Sequence, residues 1–277
     1  MAAPIKSFRA RRWLLSLATL ALGLALALVA WLGANALRPV GLYTGWLLLG
    51  LVLLLTFFNA RKKLPFLPIL NASTWLQIHV YAGWITCFVF LLHTGARLPG
   101  GRLETLLWVC FIFVAASGVF GLWLSRWLPP RLARSGESLI YERIPLLRHR
   151  LETEAKALVH QAETETKSTT LADFYVRVMG GYFVRHPALL ASLAGDEAEH
   201  HDVKRELAAL RRFLNEREIV LADQLEVLLE AKRNLDCQLA GQRLLKLWLL
   251  VHIPLTYGLL VLAGAHVWLV LQYSHRL

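Results

Sequence analysis

The stretch WLQIHVYAGWITCFVFLLHTG (residues 75–95) places His79 and His93 fourteen positions apart within an apolar segment. Fourteen residues are close to four turns of an α-helix, so the two side chains face nearly the same way, roughly 21 Å apart along the helix axis. An imidazole in a hydrocarbon environment is costly without a partner. Each of these histidines is therefore a candidate for a functional site.

A second apolar stretch, LWLLVHIPLTYGLLVLAGAHVWLVL (residues 247–271), repeats the spacing with His252 and His266. Neutral imidazole nitrogen is a good ligand for iron. Two helices that each offer one imidazole near either membrane surface predict two stacked haems with bis-histidine ligation. The predicted pairs are His79 with His252 and His93 with His266. The alternative for each histidine is a buried imidazole that is hydrogen-bonded to a neighbouring helix.

The composition indicates a membrane protein. The chain has 277 residues, 56% of them hydrophobic, with a mean hydropathy of +0.48. That is too apolar for a soluble domain and long enough for several spans. The net charge of +11 comes largely from basic residues that flank apolar segments. There they interact with anionic lipid headgroups, so nucleic-acid binding is not expected.

Five apolar segments are long enough to cross a membrane. They cover about residues 13–37, 42–59, 74–95, 103–128 and 244–273. Thr74 followed by Gln77 predicts a capping box at the start of the third segment. Pro129 and Pro130 predict the end of the fourth. We therefore divide the chain into residues 1–128 (four spans), 129–243 (an insert) and 244–277 (the fifth span and a short tail).

Basic residues set the predicted topology. They cluster before the first span, between the second and third, and after the fourth. The positive-inside rule then places the N-terminus in the cytoplasm of a bacterial-type inner membrane and the C-terminus outside. Spans three and five run in the same direction. His79 and His252 are therefore expected near the cytoplasmic surface, and His93 and His266 near the outer surface.

The insert is charged and carries a leucine repeat. Leucines occur at every seventh position: Leu207, Leu214, Leu221, Leu228 and Leu235. This pattern predicts one long helix with a coiled-coil-like packing seam. A similar stripe (Leu147, Leu151, Ala155 and Leu158) predicts an antiparallel partner, so we expect a cytoplasmic helical hairpin.

The aromatic stretch between the two predicted hairpin helices covers residues 171–193, with predicted breaks at Gly180–Gly181 and Pro187. An exposed apolar surface there would dock a partner. The alternative is that this stretch packs on its own stalk.

Other residues are candidates for supporting the haems. Gly83 lies four residues after His79, on the same face, and predicts room for a flat macrocycle, although small residues also permit close helix packing. Thr86 and Thr256 are candidates for orienting an imidazole. Arg97, Arg102 and Arg276 outside, or Arg61, Arg243 and Lys246 inside, are candidates for pairing with haem propionates, and ordinary topology-determining charge is the alternative for each.

One cluster outside the spans looks like a metal site. It comprises Glu197, Glu199, His200, His201 and Asp202. Adjacent residues on a helix point in different directions, so few of these side chains can converge on one ion. We therefore expect a solvated face. His149, His160 and His186 are expected to be ordinary surface groups.

The pattern His79-x3-Gly83-Trp84-x8-His93, with His252-x13-His266, resembles that of transmembrane dihaem b-type cytochromes. Ferric reductase-like and NADPH-oxidase-type membrane domains look closest, and quinol-oxidising cytochrome b proteins share the spacing. The resemblance covers residues 13–128 and 244–277 and implies two b-type haems in a helical bundle. The chain departs from these families in its helical insert and in having no recognisable flavin- or nicotinamide-binding sequence after the last span.

Together these features predict an all-α integral membrane bundle of five spans that transfers electrons across the membrane. We expect a subunit of a larger oxidoreductase that contacts redox partners through the insert or the outer face. A quinone pocket is a further possibility beside LPFLPILNAS (residues 64–73). The alternatives are a self-sufficient ferric or metal reductase and, in a different class, a haem-free membrane scaffold or signalling protein with a coiled-coil domain.

Overall fold

The computed structural model describes residues 5–60, 71–134, 140–185 and 198–274. This part of the chain is helical and contains no β-strand, which confirms the all-α prediction. The chain forms two compact units. We call Met1–Leu122 with Leu250–Leu277 the apolar unit, and Trp123–Leu249 the charged unit.

Nine α-helices are described. They are α1 (Ile5–Asn35), α2 (Val40–Ala60), α3 (Ala72–Thr94), α4 (Arg102–Arg134), α5 (Ile144–Thr166), α6 (Thr170–Phe174), α7 (Gly180–Val184), α8 (Ala198–Leu210) and α9 (Glu216–Ser274). A π-helical turn at Tyr175–Met179 joins α6 to α7, and 3-10 turns precede α5 and follow α8.

Five of these helices are long and apolar enough to cross a membrane: α1, α2, α3, α4 and α9. They coincide with the five predicted segments. The last one begins much earlier than the apolar run does, because α9 is a single helix of 59 residues. The fourth apolar span ends at Pro130, as predicted, although the helix that carries it continues to Arg134. A proline inside a helix removes its own N–H bond and crowds the carbonyl four residues earlier, so the helix is expected to end within a few residues.

The apolar unit has a shared side-chain core. Val52 of α2, Phe90 of α3, Phe111 of α4 and Leu259 of α9 are buried together. The rings of Phe90 and Phe111 stack with centroids 3.9 Å apart. These four helices therefore surround one interior, and α3 also packs against α1.

The start of α3 differs from the prediction. Asn71 is the N-cap residue, and its side chain makes no capping hydrogen bond. The backbone N–H of Thr74 donates to the Asn71 carbonyl, so Thr74 already lies inside the first turn. The predicted capping box of Thr74 and Gln77 is therefore wrong. The other end of α3 is closed by Gly95, whose φ of +59° lies in the left-handed region that glycine adopts without strain.

The leucine seam of the charged unit is buried, but it is not carried by one helix. Leu207 lies on α8, Leu214 has an extended backbone between the helices, and the later leucines lie on α9. All five repeat leucines are buried. The seam is thus confirmed, whereas the single long helix is wrong.

A local capping box explains the break between α8 and α9. The Glu218 N–H donates to Asn215 Oδ1 (2.9 Å), and the Asn215 N–H donates to Glu218 Oε2 (3.0 Å). These reciprocal bonds satisfy backbone donors that a helix start leaves unpaired. They favour a new helix at Glu216 over a continuous heptad repeat.

The predicted antiparallel partner is confirmed as α5. At one end of the pair Glu165 of α5 bonds Arg217 of α9, and at the other end Arg148 of α5 pairs with Asp236 of α9. The order of contacts along the two helices is therefore opposite. Ala155 and Leu151 of α5 pack into the same core as the leucine seam.

The aromatic stretch packs on its own stalk over its described part. Phe174, Tyr175, Met179, Tyr182 and Phe183 belong to the core that includes the leucine seam. The predicted break at Gly180–Gly181 is wrong, because α7 begins there and continues the helical path through the π-helical turn. The predicted break at Pro187 lies outside the described residues.

Candidate functional site

His93 of α3 and His266 of α9 face each other in the apolar unit. Their ring centroids are 6.4 Å apart, and the ring planes are nearly perpendicular at 87°. At this separation the nitrogens of the two rings cannot form a direct hydrogen bond with each other. The distance between the ring centroids is close to that expected for two imidazoles that bind the same metal ion from opposite sides.

The hydrogen bonds of His93 fix its tautomer. Its Nδ1 lies 3.1 Å from the carbonyl oxygen of Gly41. A carbonyl oxygen only accepts, so Nδ1 must carry the hydrogen, and Nε2 then carries the lone pair. The Thr44 hydroxyl lies 3.4 Å from the same nitrogen and donates to the Val40 carbonyl. The ring is therefore oriented by the start of α2 and offers Nε2 as a metal ligand.

His252 is oriented by α4. Its Nδ1 lies 2.7 Å from the Ser117 hydroxyl oxygen, and that hydroxyl is also 2.8 Å from the Val114 carbonyl oxygen. With its one hydrogen donated to that carbonyl, the hydroxyl accepts from the ring nitrogen. The lone pair of His252 is again on Nε2.

His79 is placed next to Phe58, with ring centroids 4.7 Å apart. Its Nδ1 is buried and has no hydrogen-bond partner among the described residues. His79 also interacts electrostatically with His252. A buried polar ring without a partner for Nδ1 is costly.

The two histidine pairs place α3 and α9 in parallel register. His79 is close to His252 at one level, and His93 faces His266 at the other. His93 and His266 therefore face each other between these two helices.

A cavity of about 490 Å³ opens at the His93 and His266 level. Its walls come from α2, α3, α4 and α9 and are largely apolar, with Trp46 and Trp108 among them. Arg97 also lines the cavity. Glu104 lines it too and accepts from the Gly101 N–H, which caps the start of α4.

The distance between the two rings and the volume and lining of the cavity are compatible with a haem. With metal–nitrogen bonds of about 2 Å, two imidazoles on opposite sides of one iron have ring centroids about 6 Å apart. Cofactor cavities are typically about 300–1,000 Å³, largely apolar, with a few polar groups. The pair of His93 and His266 meets both conditions, and Arg97 supplies a cation at the cavity wall.

The two hydroxyls that the sequence offers as candidates for orienting an imidazole donate to carbonyls of their own helices. Thr86 donates to the Ala82 carbonyl, and Thr256 donates to the His252 carbonyl, each within its own helix. The hydroxyls next to the rings are those of Thr44 and Ser117. Both come from a different helix, so spacing along the histidine-bearing helices gives no signal for them.

Glycines line both pairs. A Cβ on Gly45 would lie 3.0 Å from His93 Cε1, and one on Gly118 would lie 3.8 Å from His252 Cε1. Among the described residues, no other atom lies within 4 Å of a would-be Cβ on Gly83, so this position borders open space.

The other basic residues considered as partners for haem propionates are found in several different places. Arg243 and Lys246 belong to the charged unit, where Lys246 lies over the Tyr141 ring at 3.3 Å. Arg102 is exposed at the first residue of α4. Arg61 and Arg276 lie outside the described residues.

The cluster around His200 is not a solvated face throughout. His200 is buried, with Nδ1 3.3 Å from the Tyr182 hydroxyl and Nε2 3.2 Å from Glu230 Oε1. Asp202 instead pairs with Arg205 on the surface. The expectation of a surface position is therefore wrong for His200, whereas His149, His160 and His201 are exposed. Glu197 and His186 lie outside the described residues.

No group of three or more His, Cys, Asp or Glu side chains that could hold a metal ion occurs in the described part of the chain. A haem iron needs only two protein ligands, so this finding does not bear on the histidine pairs. Comparisons with protein-family models, with curated proteins and with solved structures found no significant match to this chain.

Proposed function

We propose that this chain is a membrane dihaem b-type cytochrome that transfers electrons across an inner membrane as a subunit of a larger oxidoreductase. The observation that carries the proposal is the matched pairing of His79 with His252 and of His93 with His266 between two parallel helices. Two independent pairs at matched levels are a stronger indication than any single buried histidine.

The residues of each site have distinct roles in this proposal. His93 and His266 would hold one haem, and His79 and His252 the other. A bound haem supplies one-electron redox chemistry. The apolar cavity walls would pack against the macrocycle at the first site, and Arg97 would neutralise a propionate there. The Gly41 carbonyl and the Ser117 hydroxyl lie within hydrogen-bond distance of Nδ1 of His93 and His252, which would leave Nε2 of each ring to bind the iron.

The placement in the membrane rests on the charge distribution. Basic residues flank the N-terminal side of α1 and the loop after α2, which favours a cytoplasmic N-terminus and an outer C-terminus. Electrons would then pass between a quinol or cytoplasmic donor and an acceptor on the opposite side. Redox partners would dock on the charged unit or on the outer face. Residues 64–70 of the candidate quinone segment lie outside the described residues.

The test is a haem count on the full chain purified in detergent, together with a reduced-minus-oxidised spectrum. We expect two low-spin b-type haems per chain. His93→Ala and His266→Ala should each leave one haem, and His79→Ala and His252→Ala should each leave the other. His160→Ala changes an exposed histidine and should leave both. A wild-type chain without low-spin haem bands would refute the proposal.

A haem-free scaffold is the second candidate, and the buried leucine seam of the charged unit favours it. It predicts that the purified chain lacks haem and that its histidine variants assemble normally. A self-sufficient ferric reductase would instead contain haem. In vesicles reduced from inside, it would reduce an external ferric chelate without any partner, whereas an electron-transfer subunit would not.

A further inference from the structure

The Ser117 hydroxyl lies within hydrogen-bond distance of Nδ1 of the His252 ring. It lies on α4, whereas the histidine lies on α9, so the bond joins two different helices. At 2.7 Å the contact is short for a neutral hydrogen bond. The Val114 carbonyl takes the hydroxyl hydrogen, which leaves the Ser117 oxygen as an acceptor for Nδ1–H.

The neighbouring residue leaves room for this arrangement. Gly118 follows Ser117 on α4, and a Cβ there would lie in ordinary contact, 3.8 Å from His252 Cε1. The ring thus has a polar contact with Ser117 at Nδ1, and the backbone of Gly118 lies beside its Cε1. Neutral imidazole has two tautomers, and the bond made by one nitrogen decides which nitrogen can bind a metal.

Thr256 offers a contrast one turn further along α9. Its hydroxyl donates to the backbone carbonyl of His252 at 2.8 Å and so contacts the helix rather than the ring. Two hydroxyls therefore lie close to the same histidine, but the bond to the ring nitrogen comes from Ser117.

We propose that Ser117 is a positioning residue for an iron ligand: its hydroxyl accepts the Nδ1 hydrogen of His252, directs Nε2 to the haem and increases electron donation by the imidazole. This inference rests on the proposed function. A hydrogen-bond acceptor at the second ring nitrogen fixes the ligand's orientation and raises its basicity. Stronger donation favours ferric over ferrous iron, so the bond lowers the midpoint potential of this haem.

The experiment is a potentiometric titration with electron paramagnetic resonance of the ferric protein. It is carried out on the full chain and on His93→Ala, which should retain only the haem of His79 and His252. Ser117→Ala should raise the midpoint potential of that haem and change its low-spin signals. The haem of His93 and His266 should be unaffected and so reports on the fold. Thr256→Val removes the hydroxyl that does not contact the ring and should change neither property.

If Ser117→Ala does not assemble, two conservative variants at the same position test the inference instead. Ser117→Thr keeps an oxygen acceptor, whereas Ser117→Cys is similar in size and replaces it with a weak sulfur acceptor. Wild-type properties with threonine but not with cysteine would uphold the inference. Equal behaviour of the two variants, or an unchanged potential and spectrum in Ser117→Ala, would overturn it while the two haems remain. A wild-type chain without haem would instead remove the proposed function itself.

Discussion

Gly45 of α2 lies directly against the edge of the His93 ring, and a Cβ at this position would be 3.0 Å from His93 Cε1. This contact would be tighter than nine in ten observed Cβ contacts, so the ring or the helix would have to shift by a few tenths of an ångström. The absence of a side chain at Gly45 is therefore part of what keeps His93 opposite His266. Both Gly45 and His93 line the same cavity.

Gly45→Ala should displace His93 and weaken the haem site that it forms. Overpacking of this kind typically costs about 1–3 kcal/mol. We expect loss of one of the two haems, measured as the haem-to-protein ratio. Gly50→Ala on the same helix is the matched control, because no atom lies within 4 Å of its would-be Cβ. Full haem content in both variants would contradict the role of Gly45.

Asp236 should be essential to the charged unit. It accepts from Lys232 Nζ at 2.6 Å and pairs with Arg148 Nε at 3.3 Å, and all three side chains are buried. Asp236→Ala would leave two cations buried without their carboxylate, at a typical cost of about 3–5 kcal/mol. Hydrogen exchange of the full chain should show lost protection in α5 and in the facing part of α9.

The control for that experiment is Asp202→Ala, which removes an exposed pair with Arg205. Exposed ion pairs contribute little because water and salt screen them. Protection in α5 should therefore remain as in the wild type. Similar exchange in the Asp236 and Asp202 variants would show that the buried ion pairs do not stabilise the unit.

Asn215→Ala should destabilise the start of α9. The substitution removes the side-chain acceptor for the Glu218 N–H, and the loss of an N-cap typically costs about 1 kcal/mol. We expect faster hydrogen exchange over the first turns of α9, with recovery in Asn215→Asp. Gln224→Ala changes an exposed residue on the same helix and should have no such effect.

Glu230 should make the charged unit sensitive to acid. Burial of its carboxyl opposes ionisation, but the hydrogen bond from Lys204, the charge of Arg233 and the contact with His200 together hold the pKa of Glu230 below its ordinary value of 4.5. The unfolded chain therefore binds the proton more readily than the folded chain. The resulting stabilisation is present above the ordinary pKa and is lost as the pH falls through the folded pKa.

Melting followed by circular dichroism from about pH 6 to about pH 3 would measure this effect. Glu230→Gln should lower the melting temperature near neutral pH and flatten its decline in acid. Glu142→Gln, which alters an exposed partner of Lys246, is the control and should keep the wild-type slope. Parallel curves for wild type and Glu230→Gln would exclude Glu230 as a source of the acid sensitivity.

Much of the architecture follows from hydrophobic patterning. Apolar runs predict the five long helices, and the equal spacing of His79–His93 and His252–His266 predicts which imidazoles meet, once both helices are taken to run the same way. These features depend on the periodicity of single helices. The repeat leucines likewise predict a buried seam.

Two kinds of feature could not be predicted from the sequence. Some depend on contacts between distant segments, and others on local preferences that compete with each other. Ser117 meets His252 across 135 positions, and no periodicity connects two such residues. The break before Glu216 could have been found, because Asn215 and Glu218 have the spacing of a capping box. The seven-residue repeat obscured it, since Leu214 stays buried in an extended backbone.

The π-helical turn at Tyr175–Met179 has a consequence for how this chain can change in length. Such a turn contains one residue more than the α-helical turn it replaces. Deleting Val176, whose side chain is exposed, would allow regular winding to be restored while Phe174 and Tyr182 keep their buried faces. A one-residue deletion, which elsewhere would rotate every following side chain by about 100°, could be absorbed at this point.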